Sequence, residues 1–332
     1  MPALILFALP AILTLGCGDA PQPEVVIYTS VDQQFAEDIL RRFERRCGVK
    51  VRAVFDTEAA KTTGLVRRLQ REAQRPRCDV WWSSEPFGTI ELSRKNVFEP
   101  YDSPAAADIP DRWKDPQSRW TGFAARARVL AYHTERVDPK TLPTTWRELA
   151  APQWAKRLAI ANPQFGTTRG HVAAMFAYWG KIDATRFLTV LRAAKCQITD
   201  GNSMAVQALI AGRADICMTD SDDVWVAQRR GQPVNMIYPA LEPGGPIMWI
   251  PNTVALVRGG PNPDQAKRLI DFLLSAEVER ALAQSDSRNV PVRAALQGDL
   301  SFDSPMPVAL DFKRISNALT SAMRVTRDIL LE

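Results

Sequence analysis

The chain has 332 residues, of which 46% are apolar and 24% are charged. This composition excludes a disordered protein and allows a sizeable core divided between two domains. The formal net charge is +5, but acidic residues are interleaved at helical spacing with the densest basic cluster, Arg41, Arg42, Arg45 and Arg46. A solvated helix face explains that cluster better than a nucleic-acid patch, so we expect no nucleic-acid partner.

The first 17 residues are typical of an export leader. Residues 3–15 are apolar and uncharged, which is too short for a bilayer span but suits a secretory signal. The run ends at Gly16-Cys17, which resembles a bacterial lipoprotein cleavage box and predicts a lipid on Cys17. The alternative is simple cleavage near Cys17 and a free periplasmic protein. We therefore expect an exported protein that touches a membrane only through a lipid anchor.

Four cysteines follow Cys17, two in each half of the chain. An oxidising compartment permits disulfides, so Cys47–Cys78 and Cys196–Cys217 could form one bridge per domain. The alternative for Cys217 is a buried free thiol, because it lies in an apolar strand. The spacings do not resemble a zinc site.

Strands and helices alternate through the first part of the chain. The runs at residues 25–28, 49–55 and 78–82 are predicted strands, and apolar residues recur at helical spacing in 34–46 and 63–73. This alternation predicts a parallel α/β sheet.

Polar side chains follow each of these three strands. Thr29 and Ser30 follow the first strand, Thr57 the second and Ser84 the third. Ligands of such sheets bind beyond the carboxyl ends of the strands. We therefore predict that these four residues line a ligand-binding edge.

A second α/β unit lies between two extended segments, 121–132 and 252–257. Its predicted strands are 158–161, 196–199 and 214–218, its helices are 169–179, 182–194 and 204–210, and further helices follow at 263–274, 277–285 and 312–331. This layout predicts two lobes joined by two crossing hinge strands, with a ligand cleft between them. We assign residues 24–122 and about 255–332 to lobe 1, and 123–254 to lobe 2.

The strand end at residues 219–223 carries three carboxylates, those of Asp220, Asp222 and Asp223. Crowded carboxylates repel one another unless a cation neutralises them. A hard metal ion or a substrate ammonium or guanidinium would serve. The alternative is that these residues only begin a helix, where Asp is favoured.

A second cluster, Thr167-Thr168-Arg169, follows Gly166 at a predicted helix start. Backbone N–H groups, two hydroxyls and a guanidinium there could hold an anion, although helix capping explains the threonines equally well. An acidic cluster and an anion site in one cleft would suit a zwitterion, or a metal ion with an anion.

Catalytic motifs are absent from the sequence, and we predict that the protein is not an enzyme. It has two histidines, His133 and His171, and neither has a nucleophile partner in a recognisable motif. The alternative that we retain is a metal-dependent enzyme that uses Asp220 and Asp222 as an Asp-x-Asp pair.

Several short motifs, taken in order, resemble the ferric-iron-type periplasmic solute-binding proteins of bacterial ABC importers. The resemblance extends from about residue 24 to 295, and its motifs are VIYTS (26–30), DVWW (79–82), the 162–169 loop, GNS (201–203), GRAD (212–215), IPNTVA (250–255) and NVPVR (289–293). It implies the type II periplasmic-binding fold, ligand capture by lobe closure, and a monomer that delivers its ligand to a permease and its ATPase. A periplasmic sensor or adaptor of the same fold is an alternative.

One departure from that family concerns its iron ligands. The iron binders carry two adjacent tyrosines where this chain has Asp222 and Asp223, so their phenolate ligands do not carry over. The resemblance still implies which positions face the cleft: Thr29, Ser30, Thr167, Thr168, Asn202, Asp220, Asp222 and Asp223. It also implies that the 166–169 cluster lies where family members hold a synergistic anion. The predicted ligand is a metal ion such as Fe³⁺ with an anion, or a cationic or zwitterionic organic solute.

Overall fold

A computed structural model describes residues 22–56, 62–300 and 304–332 of the chain. The leader with Cys17, and Thr57, lie outside the described residues. The strands are β1 (Glu24–Thr29), β2 (Lys50–Phe55), β3 (Val80–Ser83), β4 (Phe98–Glu99), β5 (Thr121–His133), β6 (Leu158–Ala161), β7 (Gln197–Thr199), β8 (Ile216–Asp220), β9 (Val234–Ile237) and β10 (Trp249–Val257). The helices are α1 (Gln33–Cys47), α2 (Thr63–Glu72), α3 (Pro86–Arg94), α4 (Pro152–Ala155), α5 (Gly166–Trp179), α6 (Lys181–Ala193), α7 (Asn202–Ile210), α8 (Ser221–Arg229), α9 (Pro263–Leu273), α10 (Ala276–Gln284), α11 (Ala294–Asp299) and α12 (Phe312–Leu330).

The strands form one mixed sheet in the order β2-β1-β3-β10-β5-β8-β6-β7, with β4 beside β10 and β9 beside β5. Strands β1, β2 and β3 are parallel, as are β6, β7 and β8. Strands β5 and β10 are antiparallel to each other and join the two groups. The two predicted α/β lobes and their crossing strands are therefore present. Below, lobe 1 is the unit around β1–β3 and lobe 2 the unit around β6–β8.

The helices form because their apolar residues line one face. In α1 the buried residues are Ala36, Ile39, Leu40 and Phe43, whose spacing of three and four places them against the sheet. The helix ends at Gly48, which adopts a left-handed φ of 65°, as glycine does without a steric penalty.

The crossing of β5 and β10 is held by a buried ion pair from lobe 1. Glu279 of α10 is fully buried and accepts a hydrogen bond of 2.7 Å from the backbone N–H of Ala124 in β5. Arg293 donates to the same carboxylate at 2.8 Å. Ala124 has a φ of 43°, and Asn252 of β10 donates to its carbonyl at 2.6 Å. The irregular point of the hinge strand is thus fixed by polar contacts on both sides.

The C-terminal helix α12 contacts both lobes. Phe312 packs near the rings of Phe87 and Trp113, which belong to lobe 1. Further along, α12 packs against α5 and α6 of lobe 2, and Arg192 of α6 donates to the carbonyl of Leu330. The residue boundaries that we assigned to the lobes remain a prediction. That assignment places α12 in lobe 1, and the helix also packs against lobe 2.

Neither candidate disulfide is formed. Cys47, Cys78, Cys196 and Cys217 all carry free thiols, so the suggested Cys47–Cys78 and Cys196–Cys217 bridges are corrected. Cys217 lies fully buried in β8, and burial raises the pKa of its thiol. The structure therefore confirms the alternative that we considered for Cys217, a buried free thiol.

We predict that Glu279→Gln destabilises the protein strongly, because it leaves Arg293 buried beside a neutral group. The loss in unfolding free energy should be about 3 kcal/mol, measured by urea denaturation followed by circular dichroism. Glu277→Gln on the same helix is the matched control, since Glu277 pairs with Arg46 in solvent and should cost less than about 1 kcal/mol. Equal losses in the two variants would contradict the role of the buried pair.

Candidate functional site

A small cavity lies between the lobes where two helices of lobe 2 begin. Its walls come from the starts of α5 and α7, from Asp200 before α7, from Arg126 of β5 and from Asp220 of β8, and Ser84 contributes from lobe 1. Its free volume is about 20 Å³, which is about the room that one water molecule needs. The cavity lies at the carboxyl ends of β6 and β8, where α/β sheets bind ligands.

The first residues of α5 and α7 line this cavity. Gly166 begins α5 with a φ of 53°, and Asn202 begins α7 after Gly201. Neither helix has a side-chain hydrogen bond at its N-cap. Thr167 and Thr168 therefore do not cap α5, which was the alternative role that we considered for them. Two helix N-termini with uncapped donors favour an anion.

The floor of the cavity is organised by Arg128, a fully buried residue of β5. Its Nη1 donates to Asp220 Oδ1 at 2.8 Å, and to Thr167 Oγ1 and Asn202 Oδ1 at 3.1 Å. Its Nη2 donates to Thr168 Oγ1 at 3.4 Å. One guanidinium therefore orients four of the residues that we singled out in the sequence.

Asp220 is the carboxylate that balances this guanidinium. Its Oδ2 accepts from Thr167 at 2.7 Å, Asn202 at 3.0 Å and Arg126 Nε at 3.1 Å. Burial opposes ionisation of this group, but Arg128 and Arg126 outweigh burial and lower the pKa of Asp220 to about 2. Asp220 is thus ionised and neutralised by the protein itself.

Arg126 lies on the same face of β5 as Arg128, two residues away. It lines the cavity and is only 5% exposed. Burial opposes its charge, yet Asp222 at 3.5 Å and Asp220 raise the pKa of Arg126 above its ordinary value. We missed both arginines in the sequence. Their signal was two charges, separated by one residue, inside an otherwise apolar strand.

The acidic cluster is present as predicted, since carboxylate oxygens of Asp220, Asp222 and Asp223 lie within 4.8 Å of one another. Asp223 accepts a hydrogen bond of 2.9 Å from Thr219 Oγ1. These oxygens are of the type that hard cations prefer. However, Arg126 and Arg128 both contact Asp220, and their positive charge opposes a cation at that carboxylate.

Lobe 1 contributes hydroxyl groups from its strand ends. Ser30 Oγ lies 3.3 Å from Ser84 Oγ and 3.2 Å from Ser83 Oγ, and Thr29 Oγ1 accepts from the N–H of Val31. Ser84 lines the cavity. Thr29 and Ser30 do not line the cavity. Ser30 positions the loop that carries Ser84, because Ser30 Oγ accepts from the Ser84 N–H.

Arg169 was predicted to hold the anion, but it is not one of the residues that line this cavity. Its guanidinium lies 3.3 Å from Glu91 of α3, so it joins lobe 2 to lobe 1 instead. The reason is that Arg169 lies one turn into α5 and faces the neighbouring lobe. Arg126 is the cavity's guanidinium.

Both histidines have structural contacts. His171 is fully buried, and its Nδ1 accepts from Arg128 Nε at 3.3 Å. Burial and the charge of Arg128 hold the pKa of His171 well below its usual value. His133 accepts from the N–H of Glu135. Within the described residues, neither imidazole is hydrogen-bonded to a nucleophile.

All five tyrosines are described, and none lines the cavity. Four have polar or aromatic contacts outside the cavity, and the fifth is buried in β5: Tyr28 with Glu72, Tyr101 with Asp271, Tyr178 with Arg314, Tyr238 with Trp249, and Tyr132 within the strand. No phenolate is therefore available to the site from the described part of the chain.

Residues 89–316 match the family described as bacterial extracellular solute-binding protein. The chain belongs to this family. It is 27% identical over 269 residues to the major ferric iron-binding protein of Neisseria meningitidis serogroup A, covering 78% of each chain. Iron-bound HitA from Pseudomonas aeruginosa superimposes with a TM-score of 0.82 at 23% identity, covering 92% of this chain and 99% of HitA. AfuA from Actinobacillus pleuropneumoniae with bound fructose-6-phosphate gives a TM-score of 0.78 at 19% identity, covering 93% and 99%.

These likenesses confirm the type II periplasmic-binding fold and the solute-binding function. The family is one of transport proteins and not of enzymes, which favours our main interpretation over the Asp-x-Asp enzyme.

The buried charges of the cleft predict a specific response to acid. The pKa of Asp220 is lower in the folded protein than in the unfolded chain. Ionised Asp220 therefore stabilises the folded state fully at pH values above the pKa in the unfolded chain, about 3.9. The stabilisation is lost as the pH falls from about 4 toward 2. We expect Asp220→Asn to lower the urea midpoint at pH 7 and to differ less from wild type at pH 2.5. As a control, Asp111→Asn changes a fully exposed carboxylate. A difference that stays constant with pH would contradict an ionised, paired Asp220.

Proposed function

We propose that this chain is the binding component of an ABC importer and captures a small solute through an anionic group. The observation that carries the proposal is the convergence of the α5 and α7 N-termini and Arg126 on one small cavity. Helix N-termini and a buried guanidinium stabilise negative charge. Ser84 lines the same cavity and supplies a hydroxyl group. Thr168 lines it as well, with its Oγ1 donating to Asn202 Oδ1 at 3.2 Å. The captured solute is then delivered to a membrane permease with its ATPase.

Hinge closure about β5 and β10 is the proposed mechanism of capture. Arg126 is carried by β5 itself, close to the segment that pairs with β10. Ser84 belongs to lobe 1, whereas Thr168 and Asn202 belong to lobe 2. A solute between them makes its full set of contacts only when the lobes are together, and this couples binding to closure.

We infer that the preferred solute is organic and carries both an anionic and a cationic group. By their names, two of the relatives bind iron, and AfuA was solved with bound fructose-6-phosphate. This cleft presents Asp222 and Asp223 instead of phenolates. Asp220 is already neutralised by Arg126 and Arg128. A bare trivalent ion beside two guanidinium groups is disfavoured by charge repulsion. A zwitterion can place opposite charges against the cavity and against the acidic edge.

The second candidate is a metal ion accompanied by a synergistic anion. The oxygens of Asp220, Asp222 and Asp223 lie close enough together to share an ion, and the anion would occupy the cavity beside Arg126. Metal analysis and native mass spectrometry of protein purified without denaturation distinguish the candidates. A metal-free protein that carries an organic mass supports the first, and a stoichiometric metal that is lost in Asp222→Ala supports the second.

The protein is proposed to act outside the cytoplasm as a monomer. Its family is extracellular, and no helix in the described ranges has the length and apolar character to cross a bilayer. A lipid on Cys17 would hold the mature protein at a membrane. Mass spectrometry of the mature N-terminus tests this attachment directly.

We predict that Arg126→Gln weakens the binding of inorganic phosphate by at least about tenfold, because it removes a charge-assisted hydrogen bond. Isothermal titration calorimetry on the full mature protein measures the change. Arg169→Gln removes the same charge from a residue paired with Glu91, and we expect it to alter the affinity by less than about threefold. A larger loss of phosphate affinity in Arg169→Gln than in Arg126→Gln would indicate that Arg169 holds the anion instead. No phosphate binding by the wild-type protein would contradict the proposed anion site.

A further inference from the structure

Helix α5 of lobe 2 touches helix α3 of lobe 1 at a glycine. Gly170 is buried in α5, and the ring of Phe87 from α3 lies directly against it. A Cβ added to Gly170 would overlap Cδ2 and Cε2 of Phe87 and lie 3.1 Å from its Cζ. Carbon atoms that are not bonded to each other settle at about 3.5–4.0 Å. The two helices can therefore approach this closely only because residue 170 has no side chain.

The backbone conformation does not explain this glycine. Gly170 does not have a positive φ, so its backbone conformation is one that any residue adopts. Alanine is favoured over glycine inside a helix, and the local helix preference therefore opposes a glycine at this position. The close approach of Phe87 is the feature of the structure that requires it.

The ring of Phe87 has little room to move aside. Its side chain is fully buried, and the ring of Phe312 in α12 packs edge-on against it with the ring centres 6.2 Å apart. Phe312 lies in turn 6.1 Å from the ring of Trp113. The N–H of Phe87 donates to the Glu85 carboxylate at 2.6 Å, which fixes the start of α3. A side chain at residue 170 would therefore push α5 away from α3 by about 1 Å or more.

This contact lies close to the anion cavity in both lobes. Gly166 lines the cavity, and Gly170 follows four residues later on the same side of α5. Ser84 lines the cavity from lobe 1, and Phe87 follows it by three residues. The cavity walls come from both lobes and enclose only about 20 Å³, so the lobes are together in this structure. A displacement of α5 from α3 would draw Ser84 away from the part of the cavity that lobe 2 supplies.

We propose that Gly170 and Phe87 form the contact that completes lobe closure, so that the missing side chain at residue 170 sets how closely the two walls of the cavity approach. This inference rests on the proposed function, because hinge closure is the proposed mechanism of capture. Gly170 is a positioning residue, since it does not line the cavity and acts through Ser84 and the start of α5. The neighbouring Arg169–Glu91 pair joins the same two helices, but it is partly exposed and contributes little.

The test is Gly170→Ala in the full mature protein, with inorganic phosphate as the probe in isothermal titration calorimetry. We expect phosphate to bind about tenfold more weakly, because a hydrogen bond of about 3 Å from one lobe to the anion is lost when it lengthens by about 1 Å. In small-angle X-ray scattering, wild-type protein should contract at saturating phosphate, and the variant should keep a larger radius of gyration. The urea midpoint of the ligand-free variant should equal or exceed the wild-type value, because alanine favours the helix.

Two further variants assign the effect to this contact. Phe87→Val removes the three ring atoms that lie against Gly170, so adding Gly170→Ala to Phe87→Val should change the phosphate affinity by less than about threefold. Gly298→Ala in α11 is the matched control, because a Cβ at that glycine would have no described atom within 4 Å. It should leave the affinity unchanged. Circular dichroism confirms that each variant is folded.

The outcomes separate this proposal from the proposed function. If wild-type protein binds phosphate and Gly170→Ala binds it equally well with the same radius of gyration, the closing contact is wrong and the anion site stands. A lowered urea midpoint with an unchanged radius of gyration would make the contact a permanent part of the fold and overturn the proposal. A tenfold loss that persists in the Phe87→Val background would also overturn it, because the effect would then arise elsewhere.

If wild-type protein does not bind phosphate, the proposed anion site fails, and the ligand-free proteins decide on the closing contact. A larger radius of gyration in Gly170→Ala than in wild type would support the contact, and equal radii would overturn it.

Discussion

The buried pairing of Arg128 with Asp220 is the interaction on which the cleft depends. A guanidinium that is fully removed from water is tolerated only when its donors are satisfied by a carboxylate and other acceptors. Arg128 meets this condition with acceptors from α5, α7 and β8. The starts of two helices and the end of a strand are thereby fixed around one side chain of the hinge strand. Loss of any acceptor would leave part of a buried charge unsatisfied.

This pairing also sets the electrostatic character of the site. An unpaired Asp220 would make the cleft a cation trap, as the sequence pattern suggested. With Arg126 and Arg128 in contact with it, the same carboxylate becomes part of the scaffold, and the cavity at the helix starts favours an anion. The carboxylates of Asp222 and Asp223 follow in α8, and Asp222 lies 3.5 Å from Arg126. The cleft is therefore polarised along its length, and this suits a solute with two opposite charges better than a single ion.

Side chains of the two lobes contact each other directly in two places. Arg169 pairs with Glu91 on one side. On another, Arg229 of α8 lies 3.0 Å from Asp286, and the guanidinium of Arg288 lies 4.4 Å from the ring centre of Trp225. The Arg229 pair is more than half exposed on both sides, so its contribution is small. The buried Glu279–Arg293 pair keeps the hinge strand itself in place.

The sequence by itself determined the architecture and the general location of the site. Helical and strand periodicities are local, so the α/β alternation and the two crossing strands could be read from residues near one another. The rule that ligands bind at strand ends selected Ser84 together with Thr29, Ser30 and Thr57. The predicted helix start selected Thr167 and Thr168, and the family resemblance implied Asn202. Only the tertiary structure decided the charge state of the cleft, because Arg126 and Arg128 meet Asp220 across more than 90 residues of chain. The pairing of Arg128 with Asp220 in the β5–β8 register also extends β8 beyond the predicted end at residue 218. Local patterns carry no information about which distant strand supplies a partner, so the contacts of Arg126 with Asp220 and Asp222 became visible only once the chain was folded.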